Sequence, residues 1–307
     1  MRIAIAVLVI SLSGLSVLAQ GPPTLRIVTE VPNLPSELFY GDIRVKPLRL
    51  RPGTNTPITI NDADFFVFQQ YVDFLSRMPD QSGFTFWVNE ITSCGGNAAC
   101  VDRQRVNSSG EFFLSTEFNG TGYFVYRLHK GSFGNLPRYS TFMPDTRQVG
   151  RGVIVGQGDW QGLLAANQTA FANAWVSREA FLARYPADLS PDAYVDSLIQ
   201  TAGLTSTQVN RNQIVADLTA SGNSTAGRAT ALRSIIESSA FDTKEKSPAF
   251  VLMQYFGYLR RNPNDAPDNN LDGYNFWLAK LNQFNGDFHA AEMVKSFIVS
   301  SEYLGRF

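Results

Sequence analysis

The clearest candidate for chemistry in this 307-residue chain is an acidic turn with the sequence DNNLDG at residues 268–273. Asp268, Asn270 and Asp272 have the D-x-N-x-D-G spacing in which three oxygen ligands and a sharp glycine turn wrap Ca²⁺. The twelfth position of such a loop needs a bidentate glutamate, and here it is Ala279. The spacing predicts either a weak calcium site or a polar turn in which Asp272 caps the next helix, and the missing ligand favours the turn.

Other catalytic side chains are sparse. His129 lies in an apolar stretch, where a histidine is more often a packed core residue than a general base. His289 has no cysteine or acidic partner at metal-ligand spacing except distant Glu292. No H-E-x-x-H, G-x-S-x-G or S-x-x-K pattern occurs, and the glycines between Gly150 and Gly158 miss the dinucleotide-binding spacing. The inventory favours a non-enzymatic protein. A carboxylate pair brought together by the fold would instead support a secreted hydrolase.

The N-terminus predicts export. Residues 1–19 contain Arg2, an apolar run and then Val17-Leu18-Ala19, with small residues at the places that a signal peptidase reads. This pattern is typical of a secretory signal peptide, so the mature chain is expected to begin at Gln20. A membrane anchor is the weaker alternative, because serines and a glycine interrupt an apolar stretch that is barely long enough to span a bilayer. We therefore expect a protein that is secreted or associated with the cell envelope.

The two cysteines support the same compartment. Cys94 and Cys100 enclose the short loop GGNAA, and in an exported protein this arrangement predicts a disulfide. The alternative, half of a zinc site, lacks the second pair of ligands.

The charge balance limits the class of partner. The formal net charge is −1, from 26 Lys and Arg against 27 Asp and Glu, so the basic footprint of a nucleic-acid binder is missing.

Prolines recur between residues 20 and 61, which predicts an extended tether rather than a helix. Within this tether the alternation from Ile43 to Arg51 is typical of a half-exposed strand, and Pro47 would confine that strand to a sheet edge.

An internal repeat organises the rest of the chain. The stretch from Phe66 to Trp87 returns near the C-terminus as Phe250 to Trp277, with ten identical residues in register apart from a longer loop in the second copy. The matched positions are Phe66, Val67, Gln70, Tyr71, Leu75, Arg77, Pro79, Gly83, Phe86 and Trp87 in the first copy, and Phe250, Val251, Gln254, Tyr255, Leu259, Arg261, Pro263, Gly273, Phe276 and Trp277 in the second. A repeat of this kind fixes architecture before it fixes function.

Weaker copies lie between the two strong ones. A closing aromatic residue recurs at roughly constant spacing, which predicts an all-α domain over residues 62–307 made of four tandem units of about sixty residues, two well formed and two degenerate. We expect the units to pack on their neighbours in one body. The closing aromatics are Phe118, Phe181, Phe241 and Tyr303, and the approximate units are 62–118, 122–181, 190–241 and 247–303.

One pair of charged residues occurs together and disappears together. The well-formed units carry Arg77 with Glu117 and Arg261 with Glu302, whereas alanine replaces the acid in both degenerate units. The simplest cause is a contact, so we predict that each arginine bonds its glutamate and ties the first helix of the unit to the last. This makes both arginines structural.

These motifs resemble a family of bacterial exported domains of unknown function. Its hallmark runs F-V-x-x-x-Y-x-x-x-L-x-R-x-P-D-x-x-G-x-x-x-W and is followed by F-x-x-S-x-E-F, which matches the first copy through Trp87 and Phe112 to Phe118. The second copy, from Phe250 to Tyr303, resembles the hallmark equally, except that Asn264, Asp265 and a longer loop replace the compact Pro-Asp turn. The family is faintly similar to phycobilisome linker domains, and the resemblance implies no catalytic residue.

Taken together, the sequence predicts a non-enzymatic exported helical module that binds a protein or a glycan at the cell surface. It predicts no cofactor apart from the weak calcium hypothesis, no nucleic-acid partner, and no membrane span after signal removal. The alternatives are a secreted hydrolase with an acidic site assembled by the fold, and a structural spacer in the envelope.

Overall fold

Helices fill the chain from Ala63 to its C-terminal end in a computed structural model, which describes residues 25–28, 37–40, 43–45 and 49–307. The predicted all-α class is confirmed. The helices are α1 (Ala63–Gln70), α2 (Gln81–Thr92), α3 (Ala98–Leu114), α4 (Thr116–Gly120), α5 (Gly122–Phe133), α6 (Tyr139–Val149), α7 (Trp160–Trp175), α8 (Glu179–Arg184), α9 (Pro191–Thr201), α10 (Arg211–Ala220), α11 (Thr225–Ile236), α12 (Ser239–Gln254), α13 (Asp272–Gln283), α14 (Met293–Ile298) and α15 (Ser301–Leu304).

Three short strands precede the helices. The strands β1 (Leu25–Val28), β2 (Glu37–Tyr40) and β3 (Ile43–Val45) form an antiparallel sheet in the order β1-β2-β3. The predicted strand therefore begins at Ile43 and is an edge strand, but the expected tether over residues 20–61 contains a small sheet rather than extended chain alone. Pro47 and the predicted signal peptide, residues 1–19, lie outside the described residues.

Serine caps start three of the helices that carry a closing aromatic residue. Ser115, Ser238 and Ser300 each accept a hydrogen bond from the backbone N–H of the closing aromatic three residues later. Each hydroxyl also donates to the carbonyl three residues before it. The accepted hydrogen bond satisfies a backbone N–H that has no intrahelical partner at the helix start. At Ser115, the pair of hydrogen bonds explains why α3 ends there instead of continuing to Phe118.

A π-helical turn follows the first helix of each well-formed unit. Helix α1 continues as the π-helical turn Tyr71–Leu75, and α12 continues as Tyr255–Leu259. Each turn ends at a left-handed residue, Ser76 with φ 55° and Arg260 with φ 53°. The apolar spacing from Phe66 to Met78 predicts a single helix that is stopped by Pro79. This prediction is too long, because the left-handed residue ends the helix earlier and Met78 is 67% exposed.

The first and last units pack directly on each other. The ring of Phe74 lies edge-on to the ring of Tyr258, which occupies the equivalent position in the second copy, at 5.3 Å between centroids. The Tyr258 hydroxyl donates to Gln70 Oε1 at 3.1 Å. The first and last units are thus in contact, so the expected packing of each unit on its sequence neighbours does not describe all the contacts between units. The division into four units stays a prediction.

Asp73 reinforces this junction. Its side chain is 1% exposed and accepts hydrogen bonds from Arg260 and from Arg306 near the C-terminus, each at 2.9 Å. The buried carboxylate therefore joins the first helical segment to Arg260, at the end of the equivalent segment in the last unit, and to Arg306 near the C-terminus. Within the described residues, no helix combines the length and the apolar character needed to cross a bilayer.

Candidate functional site

The structure brings together the first predicted charged pair. Arg77 donates from Nε to Glu117 Oε1 at 2.6 Å and from Nη2 to Oε2 at 2.7 Å. This bidentate geometry is the strongest that an arginine and a carboxylate can form. Glu117 is buried, and it lies on closing helix α4, so the bond ties the end of the first helix to the last one. We call this group, with Tyr71, Asp80 and Gly83, the first clamp.

The other members of the first clamp fix the arginine from its remaining sides. The Arg77 guanidinium lies 5.0 Å from the centroid of the Tyr71 ring, and Asp80 Oδ2 accepts from its Nη2 at 3.3 Å. Asp80 also caps α2 by accepting from the Gly83 N–H at 2.9 Å. Burial opposes ionisation of Asp80, but the Gly83 and Ser82 hydrogen bonds and the Arg77 charge outweigh it and lower the carboxyl pKa.

The second clamp repeats this arrangement in the last unit. Arg261 donates to Glu302 Oε1 at 2.6 Å and to Oε2 at 3.0 Å, and its guanidinium lies 5.5 Å from the Tyr255 ring centroid. Asp268 accepts a hydrogen bond from Arg261 Nη2 at 2.8 Å and takes the role that Asp80 has in the first clamp. The longer loop of the second copy thus places a carboxylate beside the arginine, as in the first copy. Gly273 completes the clamp beside the Tyr255 hydroxyl.

The residues of the candidate calcium loop are engaged with protein groups. Asp268 binds Arg261, and the Asn270 side-chain amide donates to Asp272 Oδ2 at 3.0 Å. Asp272 is the first residue of α13 and makes no capping bond, so the expected cap is wrong; its own N–H instead donates to Asn270 Oδ1 at 2.8 Å. Among the described residues, no three His, Cys, Asp or Glu side chains form a group that could hold a metal ion.

The matched tryptophans pack in equivalent ways. Trp87 lies 5.8 Å from Phe112 and Trp277 lies 5.8 Å from Phe297, measured between ring centroids. Both tryptophans are half-buried against the core. These contacts hold α2 on α3 and α13 on α14, a packing role.

The cysteines form the predicted disulfide. Cys94 and Cys100 are bonded, with their Cα atoms 5.5 Å apart, and the bridge closes the turn between α2 and α3. No free cysteine remains in the described part of the chain.

His129 has the packing role that the sequence predicted. Burial lowers the pKa of its imidazole, and its Nε2 lies 3.0 Å from Asn135 Oδ1. Asn135 stands where the clamps have an arginine, so a neutral pair replaces the charged one in this degenerate unit. The ring packs on Phe133 and Trp175 at 5.1 and 6.1 Å between centroids. His289 is exposed.

An open cleft beside the first clamp was missed by sequence reasoning. It has a volume of about 800 Å³ and lies between residues 75–78 at the end of the first helix, helix α6, the loop that follows α6, and α7. Its charged lining residues are Arg77, Arg147 and Arg151, and no Asp, Glu, Lys or His is among the described residues that line it. We call it the arginine cleft. The glycine-rich loop at 150–158 was the one sequence signal for it.

A polar side chain from α7 fixes the loop that forms one wall of the arginine cleft. Asn167 donates from Nδ2 to the carbonyls of Val149 and Arg151, each at 3.0 Å. Gly152 takes a left-handed φ of 74°, and the N–H of buried Val153 donates to the Gly150 carbonyl at 3.0 Å. The wall is therefore held by hydrogen bonds on both sides of the glycine turn.

Two further clefts each include one carboxylate residue. A cleft of about 580 Å³ includes the buried Glu245, whose Oε2 accepts from the Tyr126 hydroxyl at 2.8 Å, and a smaller one of about 270 Å³ includes Asp217. None of these three clefts is lined by two carboxylates from the described residues.

Comparison with known proteins adds no assignment. No family model, curated protein or solved structure matches this chain. The resemblance drawn from the repeated motif stays a prediction.

Proposed function

We propose that this chain is an exported helical interaction module that binds a partner protein or glycan at the bacterial cell surface and does not catalyse a reaction. The arginine cleft is the observation that carries this proposal. Its volume of about 800 Å³ is that of a typical ligand site, and its lining combines apolar side chains with a few charged groups. Such a lining provides affinity and orientation.

The state of the repeated polar residues supports the proposal. Arg77 and Arg261, the charged residues identical in both copies, are each held by two carboxylates and stacked near a tyrosine ring. These groups hold helices together and are unavailable as acids, bases or nucleophiles. The repeat therefore supplies a rigid frame, which is what a binding surface needs to limit the entropy lost on association.

The disulfide supports export. Bonds such as Cys94–Cys100 persist in oxidising compartments, and the N-terminal pattern of residues 1–19 is that of a secretory signal. Both observations favour a place outside the cytoplasm.

Co-sedimentation tests the proposal. The mature chain, residues 20–307, is mixed with delipidated envelope from its own producer, before and after protease treatment of the envelope. We expect saturable retention, with loss after protease for a protein partner and persistence for a glycan. No retention in either sample would refute the proposal. Because Asp268 is bound to Arg261, we expect a calcium chelator to leave retention unchanged.

A further inference from the structure

We propose that this protein associates with further copies of itself, head to tail, through two exposed aromatic patches that the internal repeat places on α2 and α13. The inference goes beyond the proposed function, because self-association does not require the envelope partner. The first aromatic patch consists of Phe86, Trp87 and Glu90, and the second aromatic patch consists of Phe276, Trp277 and Lys280.

Phe86 and Phe276 differ from the other residues that are identical in the two strong copies. Of the ten matched pairs, nine are buried or half-buried in both copies, where contacts inside the fold account for the identity. The tenth pair is exposed, since Phe86 is 54% exposed and Phe276 is 57% exposed. An exposed phenylalanine gains little from folding, so a partner that covers the ring would explain why both copies carry it.

Each exposed ring is held in the same way by the tryptophan that follows it. Phe86 lies edge-on to Trp87 at 4.9 Å between centroids, and Phe276 lies edge-on to Trp277 at 5.0 Å, with 76° between the ring planes in both pairs. Both tryptophans are half-buried against the core. The two patches therefore present the same pre-formed aromatic surface, which loses little conformational freedom on binding.

The two patches carry opposite charges at the same position. Glu90 lies four residues after Phe86, and Lys280 lies four residues after Phe276, so each charge is next to the exposed ring on the same helix face. The aromatic surfaces are alike and the charges are complementary. The first patch of one molecule therefore matches the second patch of another molecule better than either patch matches itself.

The charge of each patch is only weakly compensated within the chain. The Glu90 carboxylate accepts a hydrogen bond from the Gln104 amide at 3.5 Å and has no ion pair among the described residues. The Lys280 ammonium lies 3.9 Å from Glu292, whose side chain is 70% exposed, so water screens that pair and a closer carboxylate can compete with it. If α2 lay antiparallel to α13 of another molecule, Glu90 would approach Asp272, so the charges favour the parallel arrangement that pairs Glu90 with Lys280.

One patch in each strong copy gives each molecule two sites for neighbours. Within the described residues, the rings of Phe86 and Phe276 contact no aromatic ring other than that of the adjacent tryptophan, so the two patches of one molecule do not cover each other. A contact between unlike patches is head to tail, and it produces a closed ring or an open filament rather than a simple dimer.

Sedimentation equilibrium of the mature chain, residues 20–307, tests the inference. We expect the average mass of the wild-type chain to rise with concentration beyond that of a dimer. Phe86→Ser leaves only the second patch, and Phe276→Ser leaves only the first, so we expect each variant to be monomeric alone and an equimolar mixture to form dimers that do not grow. Leu182→Ser changes an exposed apolar residue of α8 outside both patches and should behave as the wild type does.

Reversal of the charges tests the pairing of unlike patches. Glu90→Lys and Lys280→Glu should each weaken the association about tenfold or more, because each change brings like charges together. A double variant that carries both changes has opposite charges again and should associate as the wild type does. Circular dichroism establishes that each variant keeps its helical content.

A wild-type chain that stays monomeric at every concentration would overturn the inference. Three other results would do the same: dimers of Phe276→Ser alone, which would show that like patches pair; an equal loss of association in Leu182→Ser; or a double charge variant that associates no better than the single variants. Retention of the monomeric Phe86→Ser variant by envelope is measured separately, so failure of this inference is distinguishable from failure of the proposed function.

Discussion

Neutralising the glutamate of each clamp should affect the two clamps unequally. The short bond from arginine Nε to the carboxylate is 2.6 Å in both, so the geometry is nearly the same. The burial differs: the Glu117 side chain is 9% exposed, whereas that of Glu302 is 37% exposed. Glu→Gln preserves the size of the side chain and removes its charge, which makes the two variants a matched pair.

The difference in burial sets the expected magnitudes. Removing one charge from a buried pair leaves the other poorly compensated and costs about 3 kcal/mol of unfolding free energy, so we expect about that loss for Glu117→Gln. An exposed pair contributes about 1 kcal/mol or less, because water screens it. Arg261 also retains Asp268 at 2.8 Å, closer than Asp80 is to Arg77 at 3.3 Å. We therefore expect Glu302→Gln to cost about 1 kcal/mol.

Urea unfolding followed by circular dichroism measures both losses as shifts of the midpoint at constant slope. A double-mutant cycle with Arg77→Met isolates the interaction of Arg77 with Glu117, for which we expect a coupling free energy of about 2 kcal/mol. A coupling below about 0.5 kcal/mol would show that the two side chains act independently and would refute the clamp as a stabilising unit. A larger loss for Glu302→Gln than for Glu117→Gln would refute the argument from burial.

Three further changes test other parts of the fold. Gly83→Ala should lower the free energy of unfolding by about 1–3 kcal/mol, measured as a lower thermal midpoint, because the added methyl group would overlap the Tyr71 hydroxyl. This loss should be smaller in a Tyr71→Phe background, which lacks the hydroxyl. The pKa of Asp80 is lowered in the folded chain from an ordinary value of 3.8, so its contribution is present above about pH 4 and is lost as the pH falls further; Asp80→Asn should flatten the acid limb of stability against pH. Asp73→Asn should cost about 3 kcal/mol and expose the segment around Arg306 to carboxypeptidase, whereas an unchanged digestion rate would contradict its role at the junction.

The clamps could be predicted because the repeat supplies an internal comparison. Arg77 and Glu117 are forty positions apart, yet their joint presence in two units and joint absence in the others indicated a contact. The disulfide followed from a short loop and an export signal. The helix bounds were harder to predict, because nothing in the apolar spacing through Met78 indicates that Ser76 takes a left-handed conformation.

The role of Asp268 shows why spacing alone misleads. Its place in a D-x-N-x-D-G pattern suggested a metal ligand, but the insertion that creates this pattern also lengthens the loop between Arg261 and α13. In the fold, that extra length carries Asp268 back to Arg261, where it replaces Asp80 of the shorter copy. A sequence alignment pairs Asp80 with Asn264 and hides this equivalence, because the same contact is made from a different position in the chain.

The predicted second unit, one of the two degenerate units, is where we expect function to differ from the repeated frame. In the well-formed units the arginine is held by two acids, and any change there costs stability. In the second unit Asn135 replaces that arginine, a neutral contact with His129 suffices, and Arg178 of the closing helix pairs with Asp145 instead. Arg147 and Arg151 belong to this unit, and they face the arginine cleft beside the intact first clamp. A binding site placed there has one wall from the clamp that recurs in both strong copies and one wall from the part of the chain where the repeat has diverged, which is where we look for function.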